Sequence, residues 1–169
     1  MPEQKNRILF LGMGNEVLRD DGIGPKVVNH LKEIFDDDHF EFMTSLLGGM
    51  ETIEIMKDFD EVVIIDGIFT EDGVPGTVYF MTYPDNKSTL HLSNAHDISF
   101  DMAVKLAHAL SIPVPQRIRI IAVEIVEDRE FGEELTIPLQ RRYDEIISLI
   151  AAMVQMDYTD KKPVDYEKI

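Results

Sequence analysis

Cysteine is absent from this chain of 169 residues, which removes disulfides, zinc–thiolate sites and a cysteine nucleophile together. Basic residues are scarce: 16 Lys and Arg stand against 32 Asp and Glu, a formal charge of -16. Nucleic-acid affinity comes largely from Lys and Arg displacing counterions, so this balance argues against nucleic acid and anionic membrane surfaces as partners. No apolar run approaches bilayer-spanning length, and the N-terminus has neither an apolar h-region nor a small-residue cleavage site. The expectation is a soluble cytoplasmic protein. Familiar catalytic signatures are missing as well. Gly12-Met13-Gly14 lacks the third glycine of a dinucleotide fingerprint, because position 17 is Val17, and no Lys-Ser/Thr pair closes a phosphate loop. There is no G-x-S-x-G elbow and no H-E-x-x-H helix. Carboxylates, histidines, hydroxyls and lysines remain to carry any chemistry.

The composition is that of an ordinary globular protein, 44% hydrophobic and 28% charged, and the length suits one domain with a full core. Residues 8–11 are continuously apolar, as a central strand covered on both faces requires, and Gly-x-Gly follows. Val27, Val28, Leu31, Ile34 and Phe35 then repeat at helical spacing, with Pro25 tolerated in the first turn. Asp20 and Asp21 stand where an N-cap is wanted, and capping is preferred for them over catalysis. Phe40 through Leu47 read as a second strand broken by Gly48-Gly49, and residues 50–59 as a short helix. Residues 61–65 form a buried strand ending on Asp66-Gly67. Strand, helix, strand, helix, strand is the pattern of a parallel sheet with right-handed crossovers, and it puts the first strand between the second and third.

A Gly/Pro loop around Gly73, Pro75 and Gly76 leads to a fourth strand at 78–81, and an irregular polar stretch follows. Phe100, Ala103, Leu106, Ala107 and Leu110 trace a third helix, with Asp97 and Ser99 available to cap it and His96 just outside. After Pro113 and Pro115 comes a β-branched fifth strand at 117–126. The acidic loop 127–134 precedes a last helix starting at Thr136-Ile137-Pro138 and marked by Tyr143, Ile146, Ile147, Ile150 and Val154. The expected organisation is a single α/β domain over residues 1–158 with a polar tail at 159–169.

Position singles out three residues. Glu16 lies in the turn after the first strand and Asp66 at the end of the third. In an open α/β sheet, the crevice beyond the carboxyl ends of the strands is where ligands bind. The two leave neighbouring strands on one edge and can meet there; His96 stands at a helix entrance. Two carboxylates and an imidazole suit a divalent transition metal with open coordination positions. From spacing alone the signal is weak, because the three are far apart in sequence and a lone histidine at a helix start is more often a capping or surface residue. His91 is an alternative ligand in the irregular stretch, where surface exposure also accounts for it.

GMGNEVLRDDGIG, EVVIIDG and SNAHDISF, in this order and at these distances, resemble the hydrogenase maturation endopeptidases, which trim the C-terminus of nickel-iron hydrogenase large subunits. The likeness runs from the first strand through the last helix, and its most specific part is GN-x-x-x-x-DDG-x-G. It implies a three-layer α/β/α sandwich around a five-stranded, mostly parallel sheet with one antiparallel strand, the fourth. It also implies that the catalytic and metal-binding residues are Glu16, Asp66 and His96. The precursor would arrive with nickel already inserted, so the metal is supplied by the substrate; precursor lacking nickel would be spared. The expected partner is that large-subunit precursor, and the enzyme is expected to be a monomer. Many relatives carry an acidic residue before the double glycine and a Thr after it, where this chain has Leu47-Gly48-Gly49-Met50. Two other readings stand beside it: a metal-dependent assembly chaperone that holds the large subunit with the same three ligands without cutting it, and a nucleotide-binding α/β domain that would take a phosphate ligand at the Gly12 to Gly24 turn.

Overall fold

A computed structural model describes residues 6–84 and 100–159. Five strands form one sheet in the order β2-β1-β3-β5-β4: β1 (Ile8–Met13), β2 (Phe40–Ser45), β3 (Glu61–Ile68), β4 (Val78–Tyr83) and β5 (Arg117–Glu124). The pairs β1–β2, β1–β3 and β3–β5 are parallel, and β4 runs antiparallel to β5, so the reversed strand lies on the edge. β1 sits between β2 and β3, where right-handed crossovers place it.

Successive side chains on a strand face opposite ways, which divides the apolar runs between two cores. Phe10, Val63, Ile65, Ile121 and Val123 pack against α1 (Ile23–Ile34) and α4 (Ile137–Tyr158). Leu9, Leu11, Val62, Ile64 and Ile120 pack against α2 (Gly49–Met56) and α3 (Phe100–Ala109). Helices thus cover both faces of the sheet in three layers. At the amino end of the sheet, buried Glu61 receives Arg119 at 3.3 Å and the Tyr158 hydroxyl, fastening the end of α4 to the start of β3.

Four local features differ from the sequence pattern. β2 ends at Ser45, leaving Leu46 and Leu47 exposed. Gly49 opens α2 with a φ of 60°, so the double glycine starts the helix instead of merely interrupting a strand. β3 continues past Asp66 to Ile68 because β5 keeps pairing with it there. Finally, Asp20 and Asp21 do not cap α1. A 3-10 turn, Arg19–Gly22, intervenes, the helix starts at Ile23 behind Gly22, and no side chain caps it. Both carboxylates are bound elsewhere. Of the tail expected at 159–169, everything after Thr159 lies outside the described residues.

Candidate active site

The carboxyl edge of the sheet is built by backbone packed on backbone. A Cβ added to Gly24, in the first turn of α1, would lie 2.3 Å from the Met13 carbonyl oxygen and 2.4 Å from that of Ile65. One added to Gly12 would lie 2.6 Å from the Gly24 oxygen. The two glycines therefore let α1 rest directly on the ends of β1 and β3. That contact fixes the level at which both strands release their following residues.

Glu16 is exposed at the tip of the next turn, whose N–H of Leu18 donates to the Asn15 oxygen at 3.0 Å. The Asn15 side chain accepts from the N–H of Val17 at 3.1 Å, and Asp21 accepts from the N–H of Asn15 at 2.8 Å. Asp21 thus holds the turn that carries Glu16. Its neighbour Asp20 is fully buried and points the other way. It accepts from the N–H of Val126 at 3.0 Å, the N–H of Thr136 at 2.7 Å and the Thr136 hydroxyl at 2.8 Å.

Asp66 is the first residue of β3 beyond its ladder with β1, which closes at Gly12 and Ile65. It stands where β1 has turned away, on the side from which Glu16 departs. Burial pushes its carboxyl up to about 7; the N–H of Gly67, donating at 2.8 Å, opposes this, and the charge of Asp21 adds to it. Asp21 is raised as well, chiefly by burial, with Asp128 and Glu127 contributing and the Asn15 N–H opposing. The edge is crowded with carboxylates whose negative charge is costly, and such a site favours a proton or a cation.

His96 and the alternative ligand His91 lie outside the described residues. Among the described residues no three His, Asp or Glu side chains converge as a metal cage. Two of the three candidates, Glu16 and Asp66, are brought to the same edge by adjacent strands. The pattern gave no warning that Asp21 faces Asp66 electrostatically, or that the loop 127–134 folds onto this edge. The acid-rich run Glu127-Asp128-Arg129-Glu130 was the available signal for the second.

The chain is an α/β sandwich whose mostly parallel sheet presents carboxylates at its carboxyl edge. Comparison with known proteins gives the family. The family described as HycI, hydrogenase maturation protease, matches residues 25–153, and the chain belongs to it. Hydrogenase 2 maturation protease of Escherichia coli (strain K12) is 34% identical over 76 residues, a stretch covering 44% of this chain and 46% of that protein. The hydrogenase expression/formation protein HupD of Rhizobium leguminosarum bv. viciae is 22% identical over 148 residues, covering 82% of this chain and 69% of that one. The fold matches the maturating endopeptidase HybD of E. coli with a TM-score of 0.65 at 24% identity, over 90% of this chain and 94% of the other. The NiFe hydrogenase maturation protease HycI of Thermococcus kodakarensis KOD1 gives a TM-score of 0.65 at 22% identity, over 90% and 95%.

Proposed function

We propose that this protein is an endopeptidase that removes the C-terminal extension from the nickel-loaded precursor of a nickel-iron hydrogenase large subunit. The observation that carries the reading is the release of Glu16 and Asp66 from adjacent parallel strands at the carboxyl edge, in a chain of the maturation protease family. Glu16, Asp66 and His96 engage the nickel that the precursor brings. The nickel belongs to the substrate, so recognition of the loaded metal and cleavage are one event. No helix among the described residues is long and apolar enough to cross a membrane. The reading includes a cytoplasmic, monomeric enzyme.

Peptide hydrolysis needs an attacking water, a polarised carbonyl and a proton for the leaving amine. A metal beside the scissile bond polarises the carbonyl and acidifies water. A carboxylate not engaged on the metal accepts the water's proton as the C–O bond forms, then passes it to the amine as the C–N bond breaks. Burial raises the Asp66 carboxyl to about 7, so near neutral pH this ligand position holds a proton that an arriving cation displaces. Arrival of the cation then favours the ionised form, so docking of the metal and readiness of the site are coupled.

The nucleotide-binding alternative loses its ground at α1. The first turn of that helix lies against the carbonyl oxygens of Met13 and Ile65, and the preceding turn carries Asp20 and Asp21, a setting that disfavours a phosphate. The non-cleaving chaperone uses the same ligands and is separated by intact-mass measurement. Incubation with nickel-loaded precursor should shorten it by its extension, and nickel-free precursor should keep its mass. Unchanged mass of the loaded precursor would overturn the peptidase reading in favour of the chaperone.

A further inference from the structure

Residues 127–134, in the loop after β5, are charged apart from Gly132 and Phe131, and Phe131 is the most exposed of the large apolar residues among the described ones, at 86%. Exposure on a loose loop would carry little meaning, but this loop is pinned at three points. Asp20 holds Val126 at its start and Thr136 at its end. In the middle, the N–H of Gly132 donates to the Val17 oxygen at 3.0 Å and the N–H of Arg19 donates to the Gly132 oxygen at 2.8 Å, forming a parallel bridge between Leu18 and Gly132.

Arg19 completes the brace. Its guanidinium reaches the Glu134 oxygen at 3.4 Å and the Glu130 carboxylate at 3.2 Å. Its φ of 33° is a left-handed conformation that a non-glycine residue keeps only when its surroundings dictate it. The result is an aromatic ring held out to solvent on a backbone bridged through Gly132 to Val17 and Leu18; Val17 is itself 49% exposed and next in sequence to Glu16. Past the loop lies a groove of about 560 Å³ between α1 and α4, with Glu16 among its lining residues. Leu135 and Tyr143 supply apolar lining; Glu33, Glu133 and Glu134 join Glu16 as acidic lining, against one lysine, Lys26, and His30, so the lining is acidic on balance.

We propose that this braced loop and groove form the docking surface for an extended precursor segment that carries both apolar and cationic side chains. Phe131 and Val17 anchor its apolar residues, and Glu33, Glu133 and Glu134 pair with its Lys or Arg. Charge complementarity selects that occupant, because four glutamates against one lysine beside an apolar anchor favour a cationic segment and repel an anionic one. Continuity through Glu16 places the segment next to the cleavage chemistry. The proposal rests on the peptidase reading and adds a specificity surface to it.

The test follows both cleavage and binding of nickel-loaded precursor by the full chain, by Phe131→Ser and by a Glu33→Gln/Glu133→Gln double variant. All three substituted side chains are exposed, so unchanged circular dichroism and Tm should show intact folds. Phe131→Ser should raise KM and Kd at least fivefold while kcat changes less than twofold, and Phe131→Tyr should restore both. The double variant should weaken binding at low salt and flatten the salt dependence seen with the unaltered protein. Kd and KM for Phe131→Ser within twofold of the unaltered protein would overturn the docking surface. So would self-association of the unaltered protein that Phe131→Ser abolishes without affecting precursor binding, since the occupant would then be a second copy. An unaltered protein that binds loaded precursor and leaves its mass unchanged sinks the peptidase reading separately, and the Kd ratio still decides the surface. Absence of any binding overturns both.

Discussion

Asp20 and Thr136 are 116 residues apart in sequence and joined by two hydrogen bonds, from the Thr136 N–H at 2.7 Å and its hydroxyl at 2.8 Å. With the N–H of Val126 as a third donor, the buried carboxylate ties the turn after β1 to both ends of the loop that precedes α4. Removing the acceptor leaves buried donors without a partner, which costs more than the bonds themselves contributed. Asp20→Ala should therefore lower unfolding stability by about 3 kcal/mol in urea titration. Asp20→Asn, which keeps one acceptor oxygen, should lose less.

Gly24 tests the packing of α1 on the sheet. A methyl group there meets two backbone oxygens closer than 2.5 Å, and backbone at strand ends cannot move aside as a flexible side chain can. Gly24→Ala should cost about 2 kcal/mol or more by overpacking, despite alanine's better helix propensity. A raised Tm would show that α1 can shift outward and that the close approach is not required.

Asp66 predicts a pH dependence of stability. Its folded carboxyl is raised from 3.8 to about 7, so the folded chain holds this proton more tightly than the unfolded chain does. The contribution is fully present below pH 4 and is lost as pH rises towards 7. Asp66→Asn, a mimic of the protonated form, should match the unaltered protein near pH 4 and exceed its stability at pH 8. Parallel stability profiles for the two proteins would contradict the burial argument. The same variant should fail to trim loaded precursor, a site that sacrifices stability for chemistry.

Glu16 should behave in the opposite manner. It is exposed at the tip of its turn, so Glu16→Gln should change unfolding stability by less than about 0.5 kcal/mol. Intact-mass assays should nevertheless show loss of trimming with nickel-loaded precursor, and His96→Ala should act alike. Undiminished trimming by either variant would remove that residue from the proposed ligand set.

The sequence by itself determined much of the architecture. The continuous apolar runs at Leu9 and Phe10 and at Val62 and Val63 required strands covered on both faces, and helical spacing in α1 and α4 supplied one of those covers. With right-handed crossovers, that pattern was enough to place β1 beside β3 and so to put Glu16 and Asp66 on one edge. Tertiary structure alone decided what the remaining acids do. Asp20 and Asp21 occupy a position where local chemistry favours a helix cap, and local sequence holds no sign of Val126 or Thr136 arriving from the far end of the chain. Their roles separate only when β5 and α4 bring those donors to Asp20, leaving Asp21 beside Asn15 and Asp66. Phe131 is the same kind of case: a solitary aromatic in an acidic loop has no periodicity to read, and its fixed exposure comes from a bridge to Leu18 more than a hundred residues earlier.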